Sequence, residues 1–385
     1  MTHSFVGWEA FRSQMPVTRR LAYLDHAAVA PLSEPARSAI TQWVAQATEQ
    51  GDVCWPQWDQ RCQQVRQLAA SLIHADTHEI ALIPNTTTGI GLVAEGFPWR
   101  EGDNMVTLAN EFPSNQYPWM NLATRGVQAR RVQVPGGQVH VDHLLAACDQ
   151  RTRLISVSWV GYATGWRIDV PRLVQEAHRR GILVFLDAIQ GLGVFPIDVR
   201  AWEVDFLAAD GHKWMLGPEG AGLLFIRAEH LDLLRPLLVG WNSVQQSHDF
   251  SRCDLDLRPA AARYEGGSAN MAGIAALGAS LQLLASAGLT SDASPLADRV
   301  VQLTDLAIER LRSIGGLIRS PRVRGHDSGI LAFELPGKSP SAVRRHCMER
   351  GVVLSVRHGW LRISPHAYNN EHDIDRLVTH LQDAQ

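Results

Sequence analysis

The sequence predicts an α/β protein: a mostly parallel sheet flanked by helices, followed by a smaller C-terminal α+β part. Three observations carry this. Short apolar runs alternate with amphipathic helical patterns over roughly residues 75–230, the signature of a parallel sheet with helices on both faces. The last hundred residues switch to strands separated by longer helices. The 385 residues, 45% hydrophobic, exceed what one core usually holds, which favours two domains.

The apolar runs are IALIP (80–84), NMVTLA (104–109), ARRVQV (129–134), RLISVSWV (153–160), GILVFLDA (181–188), VDFLAAD (204–210) and AGLLFIR (221–227). Helical patterns between them include TTGIGLVAEGF, SNQYPWMNLATRG, VDHLLAACDQ and VPRLVQEAHRRG. Upstream, WEAFRSQM reads as a helix and LAYLDHAAVAP as an extended lead-in. One helix runs from Ser33, with Pro35 in its first turn, to about Gln50, and another from about Trp58 to Ile73. After a polar stretch (241–259), a long apolar helix starts near Asn270. Helices at ADRVVQLTDLAIERLRS, PSAVRRHCMERG and NEHDIDRLVTHLQ then alternate with strands at GILAFEL, VVLSVR and WLRISP. The expected organisation is an N-terminal arm over 1–20, a large α/β domain over 21–265 and a small α+β domain over 266–385.

Composition narrows the function classes. The formal net charge is −3 without a basic or acidic run, which argues against nucleic acid and membrane surfaces as partners. No stretch reaches the roughly 18 apolar residues of a spanning helix. The N-terminus has polar residues where a signal peptide needs an apolar core, so a cytoplasmic protein is expected. The five cysteines are scattered and never form CxxC, and the 16 histidines show no HExxH spacing; no metal is expected. Of the 36 Lys and Arg residues only Lys213 and Lys338 are lysines. A bias toward arginine leaves lysine mainly where an amine is needed, since a guanidinium stays protonated and cannot form a Schiff base.

Three segments carry candidate chemistry. Asp187 ends the buried run GILVFLD, at the strand end where open α/β sheets bind ligands. A carboxylate beside an apolar run wants a positive partner, and a protonated pyridinium would be one; a helix cap or turn is the plainer alternative. Gln190, three residues on, could bond a phenolic oxygen. Lys213 sits in the polar turn between VDFLAAD and AGLLFIR, where burial lowers a lysine pKa and makes it a nucleophile; a surface lysine is the ordinary alternative. In IPNTTTGIGLVAEG, threonines open a helix whose free N–H groups suit a phosphate or need no more than a cap.

Taken in order, YLDHAA, NTTTGIGLVA, EFPSN, LDAIQ, DFLAADGHKW, YEGGSAN and LRISPHAYN span residues 23–369. With these segments the chain resembles the class V aminotransferase family, which includes cysteine desulfurases, kynureninases and isopenicillin N epimerase. The resemblance implies a fold-type I architecture with a seven-stranded sheet, pyridoxal 5′-phosphate (PLP) as cofactor, and an amino-acid substrate. It implies Lys213 as Schiff-base lysine and proton-transfer base, and Asp187 as the acid that keeps the pyridine nitrogen protonated. Gln190 would contact the ring hydroxyl, Thr87, Thr88 and His212 the phosphate, and Phe112 the ring face. Arg362 would grip the α-carboxylate. Ser268 would reach the phosphate of a neighbouring subunit, implying a homodimer. Departures are as informative. The link HGW (358–360) stands where desulfurases carry a loop with a catalytic cysteine. Asp210 replaces a phosphate-binding serine, and Trp159 stands where desulfurases have asparagine. The expected reaction is β-elimination from a cysteine S-conjugate, a C–S lyase. An epimerase or aminotransferase is the alternative, followed by kynureninase-like cleavage and a non-catalytic PLP-binding protein.

Overall fold

The structure is a computed structural model describing residues 7–384; residues 1–6 of the expected N-terminal arm lie outside the described residues. Its strands are β1 (Ala22–Tyr23), β2 (Ile80–Ile83), β3 (Asn104–Leu108), β4 (Gln128–Val132), β5 (Thr152–Ser158), β6 (Leu183–Asp187) and β7 (Phe206–Asp210). They continue with β8 (Gly222–Ile226), β9 (Leu317–Ile318), β10 (Leu331–Glu334), β11 (Val352–Val353), β12 (Ser355–Arg357) and β13 (Trp360–Ile363). The helices are α1 (Trp8–Ser13), α2 (Glu34–Glu49), α3 (Trp55–Ile73), α4 (Thr86–Gly96), α5 (Tyr117–Asn121), α6 (Val141–Ala146), α7 (Val170–His178), α8 (Met271–Ser286), α9 (Pro295–Ser313), α10 (Pro340–Glu349) and α11 (Glu371–Asp383).

Seven strands form the main sheet in the order β2-β8-β7-β6-β5-β3-β4. The pairs β7–β6, β6–β5, β5–β3 and β3–β4 are parallel, while β8 runs antiparallel to both its neighbours. This is the mostly parallel, helix-flanked sheet expected. Strands β2, β3, β7 and β8 are buried at every position because helices cover both faces, which is why they read as continuous apolar runs. The helices are set by their caps. Asn85 accepts from the Thr88 N–H at the start of α4, and Asp169 from the Arg172 N–H at the start of α7. Helix α4 lies close on the sheet: a Cβ on Gly89 would stand 2.6 Å from that of Ala208, so only glycine permits this approach.

A four-stranded antiparallel sheet, β12-β13-β10-β9, packs with α9, α10 and α11 around a second core. Leu24 and Ala22 belong to that core, because β1 pairs in parallel with β11. The lead-in over 21–31 is therefore a strand followed by a loop, and Asp25 bridges to Ser364. Helix α8 is apolar around most of its circumference because α2 and α3 pack on it as well as the main sheet's core.

The topology places the site. Since β2 is parallel to β7, the carboxyl ends of β2, β3, β5, β6 and β7 share one edge. The loops at that edge, together with residues 27–29 and the β12–β13 hairpin, enclose a cavity of about 290 Å³.

Candidate functional site

Asp187 ends β6 inside this cavity and is 3% exposed. It accepts only the Ile189 backbone N–H, at 3.1 Å. Burial pushes its carboxyl up to about 6, against the opposing pull of that bond and of Lys213. Lys213, three residues beyond β7, is buried in the same wall. Burial lowers its amine to about 8; Asp187 and Asp210 oppose this, and the cations Arg362 and Arg357 add to it. The amine makes no hydrogen bond to the described residues and stands 5.6 Å from the Phe112 ring centroid.

The helix end of the cavity is polar. Asn85, Thr86 and Thr87 start α4, and the Thr87 hydroxyl donates to Ser114 Oγ at 2.8 Å. Thr86 is committed structurally, accepting the Asp210 backbone N–H at 2.9 Å. His212 lines the same end, its Nδ1 2.8 Å from Asp210 Oδ2. Asp210 thus faces this cavity with its Oδ2 close to His212, although neither Asp210 Oδ1 nor His212 Nδ1 makes a hydrogen bond among the described residues.

Two expected contacts are not brought here. Thr88 turns away: its hydroxyl donates to Asn85 Oδ1, and it lines a neighbouring cavity of about 640 Å³ instead. Ser268 also lies in that neighbouring cavity, away from Lys213. Gln190 reaches the cavity but is clamped. Its Nε2 donates to Ala27 O at 3.0 Å and its Oε1 accepts from Trp214 Nε1 at 2.8 Å, leaving one amide N–H for a ligand.

Arg362 lies on β13, 1% exposed. Its Nε donates to Ser355 Oγ at 3.1 Å, Nη1 to Tyr162 O at 2.6 Å and Nη2 to Asp25 Oδ1 at 3.1 Å. Three of its five N–H groups are spent, and two remain for a carboxylate. Burial lowers this guanidinium to about 10, with Asp25 opposing.

Sequence reasoning missed Asp25, Tyr162, Ser158 and Glu111. Glu111 is buried beneath the cavity, accepts the Ser158 N–H at 2.7 Å and its hydroxyl, and is pushed by burial up to about 7. The pairing of YLDHAA with LRISPHAYN, both already singled out, was the available signal for Asp25. Trp159 does not face the cavity; its ring packs on Phe195 and Trp202. None of the five cysteines lines the cavity, and Cys347 is buried on α10 with its thiol raised to about 11.

Pyridoxal 5′-phosphate suits this donor set. A buried amine without a hydrogen bond faces a buried carboxylate with a single donor, which is costly for both until a ring with an aldehyde and a basic nitrogen lies between them. Hydroxyls at a helix N-terminus and His212 suit the phosphate.

The aminotransferase class-V family model matches residues 22–377. A probable cysteine desulfurase from Methanothermobacter thermautotrophicus (strain Delta H) is 30% identical, aligned over 98% of both chains. Among solved structures, a complex of the cystine C–S lyase C-DES with its product cysteine persulfide superposes with a TM-score of 0.90 at 24% identity, covering 96% of this chain and 100% of that one. A lysine variant of C-DES, with glycine covalently linked to its PLP cofactor, superposes with a TM-score of 0.91 at 23% identity, covering 97% and 99%.

Proposed function

The chain belongs to the aminotransferase class-V family and is a PLP-dependent enzyme, and from that premise we propose that it acts on a cysteine S-conjugate, cleaving its carbon–sulfur bond by β-elimination. The observation that carries this reading is the β12–β13 hairpin. It closes in a two-residue turn, His358–Gly359, and no thiol lines the cavity to accept sulfur. The cysteine desulfurase and cystine C–S lyase names among the relatives both describe C–S cleavage. No feature of the site favours the epimerase, aminotransferase or kynureninase-like readings over it.

The residues divide the work. Arg362, stiffened by Asp25, Ser355 and Tyr162, holds the α-carboxylate with its two free N–H groups. Lys213, the buried amine of the cavity, would bind the cofactor's aldehyde and serve as the base for the substrate's Cα proton. Asp187 would keep the ring nitrogen protonated, Phe112 would cover the ring, and Gln190 would meet its hydroxyl. Thr87 and His212 would hold the phosphate. When bound, PLP supplies the electron sink that makes the Cα proton acidic. Loss of the Cα proton to Lys213 and of the sulfur substituent from Cβ, protonated to a thiol, with addition of one water, would give pyruvate and ammonia.

The proposal includes a homodimer, with Ser268 directed at the partner's phosphate. The exposed apolar residues Leu238, Val239, Trp241 and Phe250, close in sequence to a lining shared with Ser268, support it. The test of the reaction is purified holoenzyme with a panel of S-substituted cysteines: pyruvate and ammonia are expected in equal amounts. Absence of keto acid from every conjugate refutes the lyase reading.

A further inference from the structure

The cavity holds two arginines, and an amino acid has only one α-carboxylate. Arg362 is built as a fixed clamp, with three hydrogen bonds, one of them an ion pair with Asp25. Arg357 is different. It is half-buried, lines the same cavity and forms no ion pair among the described residues. Its one hydrogen bond is Nη1 to the neighbouring carbonyl of Val356, at 2.9 Å.

The surroundings aim this cation rather than leave it to solvent. Arg357 ends β12 opposite Trp360. The two turn residues have φ of 52° and 80°, the left-handed pair of a tight hairpin that holds the strand end in place. His358 Nε2 lies 2.7 Å from the Tyr162 hydroxyl, and the Tyr162 ring meets Phe112 edge-on at 5.4 Å. Phe112, Tyr162 and Arg357 thus form one wall, aromatic with a cation at its edge.

We propose that Arg357 is a specificity-determining residue that selects substrates whose side chain ends in a carboxylate, so that the S-conjugate cleaved carries an acidic group beyond the sulfur. An unpaired guanidinium in a partly desolvated wall gains a charge-assisted, bidentate partner from such a group and nothing comparable from a neutral one. The inference rests on the cavity being the amino-acid site proposed above, and it deepens that reading by naming the substrate class.

The test separates the two. Holoenzyme is titrated with L-glutamate and L-glutamine, which match in shape, differ in distal charge and have no leaving group at Cβ; the cofactor absorbance reports binding. Glutamate binds tighter by about tenfold or more. In Arg357→Gln that preference collapses to within about twofold, while Arg357→Lys retains part of it. In parallel, kcat/KM is compared for S-carboxymethylcysteine and its neutral counterpart S-carbamoylmethylcysteine. The acidic conjugate is preferred by wild type, and the preference disappears in Arg357→Gln. Equal affinity for glutamate and glutamine, a preference that survives Arg357→Gln, or an equal loss for both ligands together with weakened PLP binding overturns the proposal. Cleavage of both conjugates without preference overturns it and leaves the lyase reading standing. A glutamate preference that depends on Arg357, with no pyruvate from either conjugate, upholds anion selection and removes the lyase reading.

Discussion

Burial shifts Lys213 and Asp187 each toward its neutral form, and this has consequences in the cofactor-free protein. With its amine at about 8, roughly a tenth of Lys213 is neutral at pH 7, against about one part in 3,000 for an unperturbed lysine. The second-order rate of PLP capture by apoprotein therefore rises with pH and levels off above about 8, whereas a surface lysine would keep accelerating toward 10; stopped-flow absorbance decides between them. For Asp187, the folded value of about 6 lies above the unfolded one. The folded state then binds the proton more tightly, and stability is lost as pH rises from the unfolded value through 6. Asp187→Asn removes that cost. It should stabilise the apoprotein by up to about 3 kcal/mol at pH 8 and by almost nothing at pH 4, as read from denaturant midpoints, while abolishing turnover.

At the scale of the element, two connections carry the site. The β12–β13 turn orients Arg357 and Arg362 from opposite ends of one short hairpin. Gly359 has φ 80° with open space around its Cα, so Gly359→Ala meets no clash and pays only for the left-handed backbone, about 1 kcal/mol. A larger loss would mean the turn packs against something further. At the other end of the sheet, Asp205 ties β7 to its neighbours. It accepts from His178 Nε2 and His230 Nε2, both at 2.8 Å, and from the Val184 N–H. Burial alone would raise the Asp205 carboxyl, but the two histidine bonds outweigh it and hold it below its ordinary value. The bond to Asp205 raises His178 in turn. Its contribution is complete below the unfolded histidine pKa of about 6.5 and fades as pH rises through the higher folded value. His178→Gln should accordingly cost about 2 kcal/mol at pH 6 and less at pH 9, measured by urea unfolding at both.

For the whole molecule, two cores meet at the cavity. The main sheet supplies Asp187 and, just past its β7, Lys213; the smaller sheet supplies Arg357 and Arg362, so the cavity is built from both. No helix among the described residues is long and apolar enough to cross a membrane. The homodimer reading predicts sedimentation as a pair of 42.5 kDa subunits. Leu238→Glu, at a residue 67% exposed, should shift that equilibrium toward monomer while costing the monomer no more than about 0.5 kcal/mol of unfolding free energy.

Whatever depended on a short window of chain was legible in the sequence. The alternation of strands and helices, the apolar strands of the main sheet, and the positions of Asp187 and Lys213 at strand ends all follow from periodicity and burial over five to fifteen residues. The family resemblance added the cofactor, which no window reveals. Tertiary structure alone decided the rest. The pairing of β1 with β11, 330 residues apart, puts Asp25 behind Arg362, and chain closure over such distances leaves no local pattern. The turning of Thr88 out of the cavity depends on the rotation of α4 over β7, set by the contact at Gly89 rather than by the threonines. Ser268 is separated from Lys213 by the path of the chain into a second cavity. Arg357 was one arginine among 34 until the hairpin placed it, unpaired, in the wall that faces Lys213.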